Sequence, residues 1–120
     1  MTAKITVVTA VLNQVDALQE TVQSVFDQPY PNLDYFIIDG GSTDGTVDVI
    51  REYEDRLSDW VSVPDEGVYD AMNKGLSLAN GDWLNFMNAG DQFACHESVA
   101  NFMERSSAEK SLVFCSIYFI

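Results

Sequence analysis

Trp83-Leu84-Asn85-Phe86-Met87-Asn88-Ala89-Gly90-Asp91 is an apolar run that breaks off in a turn of small residues closed by a carboxylate. A strand of that form is where α/β proteins place ligands, because open parallel sheets bind them in the crevice beyond the carboxyl ends of their strands. Upstream, Tyr35-Phe36-Ile37-Ile38 runs in the same way into Asp39-Gly40-Gly41-Ser42-Thr43-Asp44-Gly45. Two strand ends thus carry acids, and one is rich in glycine. The pair points to a metal or sugar-nucleotide site.

Working outward from these stretches, Ile5-Thr6-Val7-Val8-Thr9 is β-branched throughout, which favours a strand buried on both faces. Asn13 can cap a helix whose apolar positions Val15, Leu18, Val22, Val25 and Phe26 recur at three- and four-residue spacing, and Pro29-Tyr30-Pro31-Asn32 stops it. Ser42, Thr43 or Asp44 is expected to cap a second helix with Val47, Ile50, Tyr53 and Leu57 on its buried side. Trp60 to Val63 reads as the third strand. Val68 to Asn80 reads as a helix with Tyr69, Met72, Leu76 and Ala79 on one stripe, Asp70, Asn73 and Lys74 opposite, and Gly81 as a left-handed cap. A short helix over Ser98 to Arg105 and an apolar strand over Leu112 to Ile120 follow.

Strands alternating with helices at this rhythm give an α/β fold, a mostly parallel open sheet with flanking helices. The last strand runs to the final residue without a polar turn, so the chain is expected to be the front part of a longer domain, with an exposed strand that a second copy could pair with. A natural terminal strand at the sheet centre is the alternative.

At 120 residues and 47% hydrophobic content, the chain is long enough for one domain with one core. Six Lys plus Arg against 19 Asp plus Glu leave a formal charge of -13, which repels nucleic acid. A nucleotide phosphate is repelled too unless a divalent cation or helix N-termini offset the field, so nucleotide binding here implies a bound metal. Cys95 and Cys115 lack metal-ligand spacing and read as reduced thiols of a cytoplasmic protein, and His96 reads as a surface or capping residue. No apolar run approaches the length of about 20 residues that crosses a bilayer, and no secretory leader is apparent.

Four linked segments carry a family resemblance: Thr6 to Asn13, Ile38 to Thr46, Asp65-Glu66-Gly67-Val68-Tyr69-Asp70-Ala71-Met72-Asn73-Lys74-Gly75, and Ala79 to Asp91. In this order and spacing the chain resembles the N-terminal, nucleotide-binding half of the family 2 inverting glycosyltransferases of the GT-A, Rossmann-like fold. The resemblance implies a uracil base surrounded by the turn at Thr9, Val11 and Asn13, with Asp39 accepting from its imide N–H. It implies uridine or ribose contacts from Asp70 and Asn73 at the third helix. Plain strand-to-helix capping by Asn13, turn formation by Asp39 and a solvated face at Asp70 and Asn73 account for the same residues.

The family's Asp-X-Asp motif, which binds ribose and a divalent cation, corresponds here to Asn88-Ala89-Gly90, followed by Asp91. Both usual carboxylates are missing. Asn88 keeps an oxygen for ribose or a metal-bound water, Ala89 stands with it at the nucleotide, and Asp91 keeps one hard carboxylate for Mg²⁺ or Mn²⁺. The implied activity is sugar transfer from a UDP-sugar to a glycan or lipid-linked acceptor in bacterial polysaccharide assembly, on the cytoplasmic side of the inner membrane. The catalytic base is expected beyond residue 120; Glu97, Glu104 and Glu109 read as solvated helix residues.

Three rival readings are open. A phospho-receiver domain needs an acid pair after the first strand, where this chain has Ala10-Val11-Leu12-Asn13. A dinucleotide oxidoreductase needs the Gly-X-Gly-X-X-Gly fingerprint there, which is absent. A non-catalytic nucleotide-sugar binder fits Asn88 and Gly90 and the missing base.

Overall fold

A computed structural model of the protein describes residues 4–64, 66–93 and 99–100. Its strands are β1 (Ile5–Val11), β2 (Leu33–Asp39), β3 (Asp59–Ser62) and β4 (Trp83–Phe86), and its helices are α1 (Val15–Phe26), α2 (Thr46–Tyr53) and α3 (Val68–Leu78). The strands form one sheet in the order β3-β2-β1-β4, with every pairing parallel. The proposed helix over Ser98 to Arg105, apart from Val99 and Ala100, and the strand over Leu112 to Ile120 lie outside the described residues.

Burial on both faces explains the β-branched sequence of β1. Ile5, Val7 and Val11 pack with Leu18, Val22 and Val25 of α1 and Val49 and Ile50 of α2, while Val8 packs on the other face with Phe36, Ile38 and Ala71. Leu18, Val22 and Val25 are each almost wholly buried, and each such side chain stabilises the fold by about 2 kcal/mol. Helices α1 and α2 therefore cover one face of the sheet and α3 the other.

Three expected helix details are corrected. The stripe Tyr69, Met72, Leu76 and Ala79 is not the packed face of α3, since Tyr69 is 79% and Leu76 55% exposed. Ala71 and Gly75 turn inward instead, because the helix axis lies so close to β1 that only small residues fit between them: a Cβ on Gly75 would stand 2.4 Å from Val8 Cγ1. Hydropathy alone points to the wrong side where close packing selects for size. Gly81 is likewise not a left-handed cap, as its φ is not positive and the helix ends at Ala79 in extended backbone. Its role is close approach, with Thr6 Oγ1 2.6 Å from where a Cβ would be. Helix α2 also ends earlier than the stripe implied, and a 3-10 turn over Glu54–Arg56 leads to Leu57.

Candidate nucleotide site at the sheet's switch point

The chain steps outward from β1 to β2 to β3, then returns through α3 to place β4 against the other side of β1. With α1 and α2 on one face and α3 on the other, the boundary between β1 and β4 is the topological switch point of the sheet, where open parallel sheets carry ligand crevices beyond the carboxyl ends of their strands. A pocket of about 190 Å³ lies there, lined by Ala10 and Val11 at the end of β1, Leu12 and Gln14 after it, Gly67 just before α3, Ala71 of α3, and Asn88 after β4. A wider depression of about 720 Å³ runs along the outer side of α1, past Gln19, Gln23 and Asp27, and has no strand end in its lining.

The loops after β1 and β2 are tied to each other. Asn13, with φ 51°, is the single non-glycine residue with a left-handed backbone among those described. Its N–H donates to Ser42 Oγ at 2.8 Å, and its Oδ1 accepts the Thr43 N–H at 2.7 Å. Asn13 is therefore not the α1 cap; that position is Gln14, which makes no capping bond, and Asn tolerates the αL turn better than most residues. The helix ends are served by Asp44 instead: Oδ2 accepts the Val15 N–H of α1 at 3.3 Å, and Oδ1 accepts the Thr46 N–H of α2 at 3.1 Å. The N-cap backbone position of α2 is Gly45, with φ 99°.

The Thr46 hydroxyl, together with the Thr46 and Val15 N–H groups, holds the Asp44 carboxyl below the usual carboxylate range against a modest desolvation. A depressed folded-state pKa means stability that is present above the unfolded value of about 3.9 and lost as pH falls through the folded value. Asp44→Asn is accordingly expected to flatten the acid limb of the stability curve, checked by urea unfolding between pH 5 and acid conditions. An unchanged acid limb removes Asp44 from the helix ends.

Asp39 is fully buried at the end of β2. Its Oδ2 accepts the Gly41 N–H at 3.1 Å, the Ser42 N–H at 2.9 Å and the Ser62 hydroxyl at 2.8 Å, and its Oδ1 accepts the Ser42 hydroxyl. The carboxylate is the internal post of the Gly41–Ser42 turn, where Gly41 takes φ 94°. Direct acceptance of a base imide, as expected from the resemblance, requires an exposed edge that this carboxylate lacks. Ser42, a cap candidate in the sequence, and Ser62, which the sequence reading did not single out, complete the post.

Other expected residues divide in the same way. Thr9 is buried, its hydroxyl pairs with Tyr35 Oη at 2.7 Å inside the core, and it is not among the residues lining the pocket. Burial pushes the Tyr35 phenol pKa up, against the lowering effect of the Thr9 bond. Asp70 Oδ2 accepts the Glu66 N–H at 3.1 Å and lies 3.4 Å from Lys74 Nζ; the Glu66 bond and then the Lys74 contacts lower its pKa. Asn73 is exposed and sits about 200° around the helix from pocket-lining Ala71. Neither Asp70 nor Asn73 is among the residues lining this pocket; Asp70 sits at the start of α3 with its carboxylate on the Glu66 N–H, next to pocket-lining Gly67. Val11 and Asn88 do line the pocket, together with Leu12 and Gln14, which sequence reasoning missed because neither belongs to a charged or glycine motif.

At the end of β4 the ladder to β1 continues, with the Met87 N–H donating to the Val8 carbonyl and the Ala89 N–H to the Ala10 carbonyl. The turn then closes on itself. Asp91 Oδ2 accepts the Asn88 N–H at 3.2 Å, and the Asp91 N–H donates to the Asn88 carbonyl at 2.9 Å. Among the described residues no cluster of three or more His, Cys, Asp or Glu side chains could hold a metal alone. One carboxylate and one amide oxygen nevertheless suit Mg²⁺ or Mn²⁺ where substrate phosphates supply the remaining ligands. No helix among the described residues is long and apolar enough to cross a membrane.

A parallel sheet in this order with a crevice at its switch point is the nucleotide-binding architecture of the GT-A class. The sequence model of Glycosyl transferase family 2 matches residues 6–120, and the chain belongs to that family. It is 40% identical over 106 residues to an uncharacterized glycosyltransferase of Mycobacterium tuberculosis, covering 88% of this chain and 40% of the relative. It is 33% identical over 111 residues to the Bacillus subtilis glycosyltransferase TuaG, named for teichuronic acid biosynthesis, covering 87% of this chain and 44% of TuaG. The chain thus spans less than half the length of these curated relatives.

Among solved structures, a Pyrobaculum calidifontis mannosyltransferase in complex with GDP-Man and Mn²⁺ superposes with a TM-score of 0.77 at 24% identity, over 84% of this chain and 31% of that one. Staphylococcus aureus TarS in complex with UDP-GlcNAc superposes with a TM-score of 0.74 at 21% identity, over 82% of this chain and 30% of TarS. At those identities the likeness is one of fold.

Proposed function

We propose that this chain supplies the donor half of a glycosyltransferase that uses a nucleoside diphosphate sugar, with UDP as the nucleotide. The observation that carries the reading is the small pocket between the ends of β1 and β4, with Val11 and Asn88 on its walls and the Asp91 carboxylate three residues beyond Asn88. The base enters between the Ala10 to Gln14 turn and Ala71, the ribose lies against Asn88 and Ala89, and the diphosphate extends toward Asp91. Asn13, Asp39 and Ser42 act behind the base by holding the first two loops in register. The acceptor is a glycan or a lipid-linked sugar, in keeping with the polysaccharide-related name of a relative.

Asp91 and the Asn88 amide would hold Mg²⁺ or Mn²⁺ against the diphosphate, and the metal would stabilise the negative charge of the leaving group. It would also offset the field of a chain with formal charge -13. Calorimetry with UDP and with GDP, each with and without Mn²⁺, tests the proposal. UDP binding that tightens with Mn²⁺ and exceeds GDP binding is the expected result; no binding of either nucleotide under any condition would overturn it.

A further inference from the structure

The buried face of α1 carries a hydroxyl where an aliphatic side chain would pack better. Thr21 is fully buried between Leu18, Val22 and Val25, and threonine is a poor helix former whose hydroxyl needs a partner when buried. It has two across the chain. Thr21 Oγ1 donates to the Asp91 carbonyl at 2.7 Å, nearer than the Ala17 carbonyl at 3.2 Å, and accepts the Gly90 N–H at 2.8 Å. Further along the same helix, Ser24 Oγ accepts the Phe93 N–H at 2.7 Å, and two residues past the helix end Gln28 Oε1 accepts the Val99 N–H at 2.9 Å. Thr21, Ser24 and Gln28 thus form a row of polar side chains that bond the backbone of Gly90, Asp91, Phe93 and Val99.

The first of these differs from the others in what it controls. Gly90 takes φ 101°, a conformation with little steric restraint in glycine, and it directly precedes Asp91. One hydroxyl bonds the N–H before this pair and the carbonyl after it, fixing the backbone torsions of both residues. Asn88 N–H then holds Asp91 Oδ2, which leaves the aim of Oδ1 set by the backbone beneath it.

We propose that Thr21 is a positioning residue that fixes the Asp91 carboxylate for a divalent cation shared with the donor diphosphate. The inference rests on reading the Asn88 to Asp91 turn as the diphosphate end of the site. Thr21 touches neither metal nor nucleotide and acts through Asp91, as outer-shell partners of metal ligands do.

The test is UDP affinity of the full chain with and without Mn²⁺ for wild type, Thr21→Val, Thr21→Ser and Asp91→Asn, with thermal unfolding of each. Thr21→Val is expected to keep metal-free UDP affinity within about twofold while the enhancement by Mn²⁺ falls about 10- to 100-fold. Thr21→Ser should restore the enhancement, and Thr21→Val should add no further loss in an Asp91→Asn background. If the valine variant does not fold, Thr21→Ala carries the same expectation. Enhancement preserved in the hydroxyl-free variant, or lost equally with metal-free binding, overturns the inference while leaving the metal reading in place. A wild type whose UDP affinity ignores Mn²⁺ overturns the metal reading and this inference with it.

Discussion

Asp39→Ala is expected to cost about 4 kcal/mol or more of folding stability and to abolish nucleotide binding, although its side chain has no exposed atom for a ligand to touch. The substitution leaves the Gly41 and Ser42 N–H groups and the hydroxyls of Ser42 and Ser62 without their acceptor. Each buried donor left unmade costs about 1–3 kcal/mol, against a total stability of about 5–15 kcal/mol for a domain. Because Ser42 also accepts the Asn13 N–H, the loop after β1 is released as well. Urea unfolding measures the first effect and UDP calorimetry the second. Asp39→Asn separates support from direct base contact: support predicts that stability and affinity fall together, whereas contact predicts a loss of affinity in a protein of unchanged unfolding midpoint.

Gly75→Val is expected to destabilise the fold by about 3 kcal/mol, the upper part of the range for overpacking a core. The would-be Cβ stands 2.4 Å from Val8 Cγ1, and Val8 is a β-branched residue at the centre of the sheet with little rotamer freedom to yield. Alanine gains up to about 1 kcal/mol in helix propensity over glycine, which offsets part of its clash; valine recovers less and adds two methyl groups. The strain relaxes by lifting α3, which carries Ala71 on the pocket wall. Weaker UDP binding should therefore accompany the lower unfolding midpoint. A Gly75→Val protein of wild-type stability would show that α3 does not sit against β1 as described.

The alternation of strands and helices was legible because β1 and β2 are buried on both faces and carry β-branched and aromatic residues with few polar interruptions. The order β3-β2-β1-β4 was not, since pairing partners leave no trace in local periodicity. At the site, the small-residue turns marked the carboxyl ends of β2 and β4, but charge alone does not tell a ligand-facing carboxylate from one bonded within the fold. Asp39 and Asp70 both carry the carboxylates a motif reader notices, and both are bound by their own backbone neighbours. Thr21 and Ser62 carry more of the geometry and have no sequence signature, because a hydroxyl is informative only once its distant partner is known.

Asp44 gives one side chain to the first turns of α1 and α2 alike. Two segments that begin 31 positions apart in the sequence, at Val15 and Thr46, therefore share a single clasp. Fraying at either helix start weakens the hold on the other, so local opening at this end of the molecule becomes one concerted event.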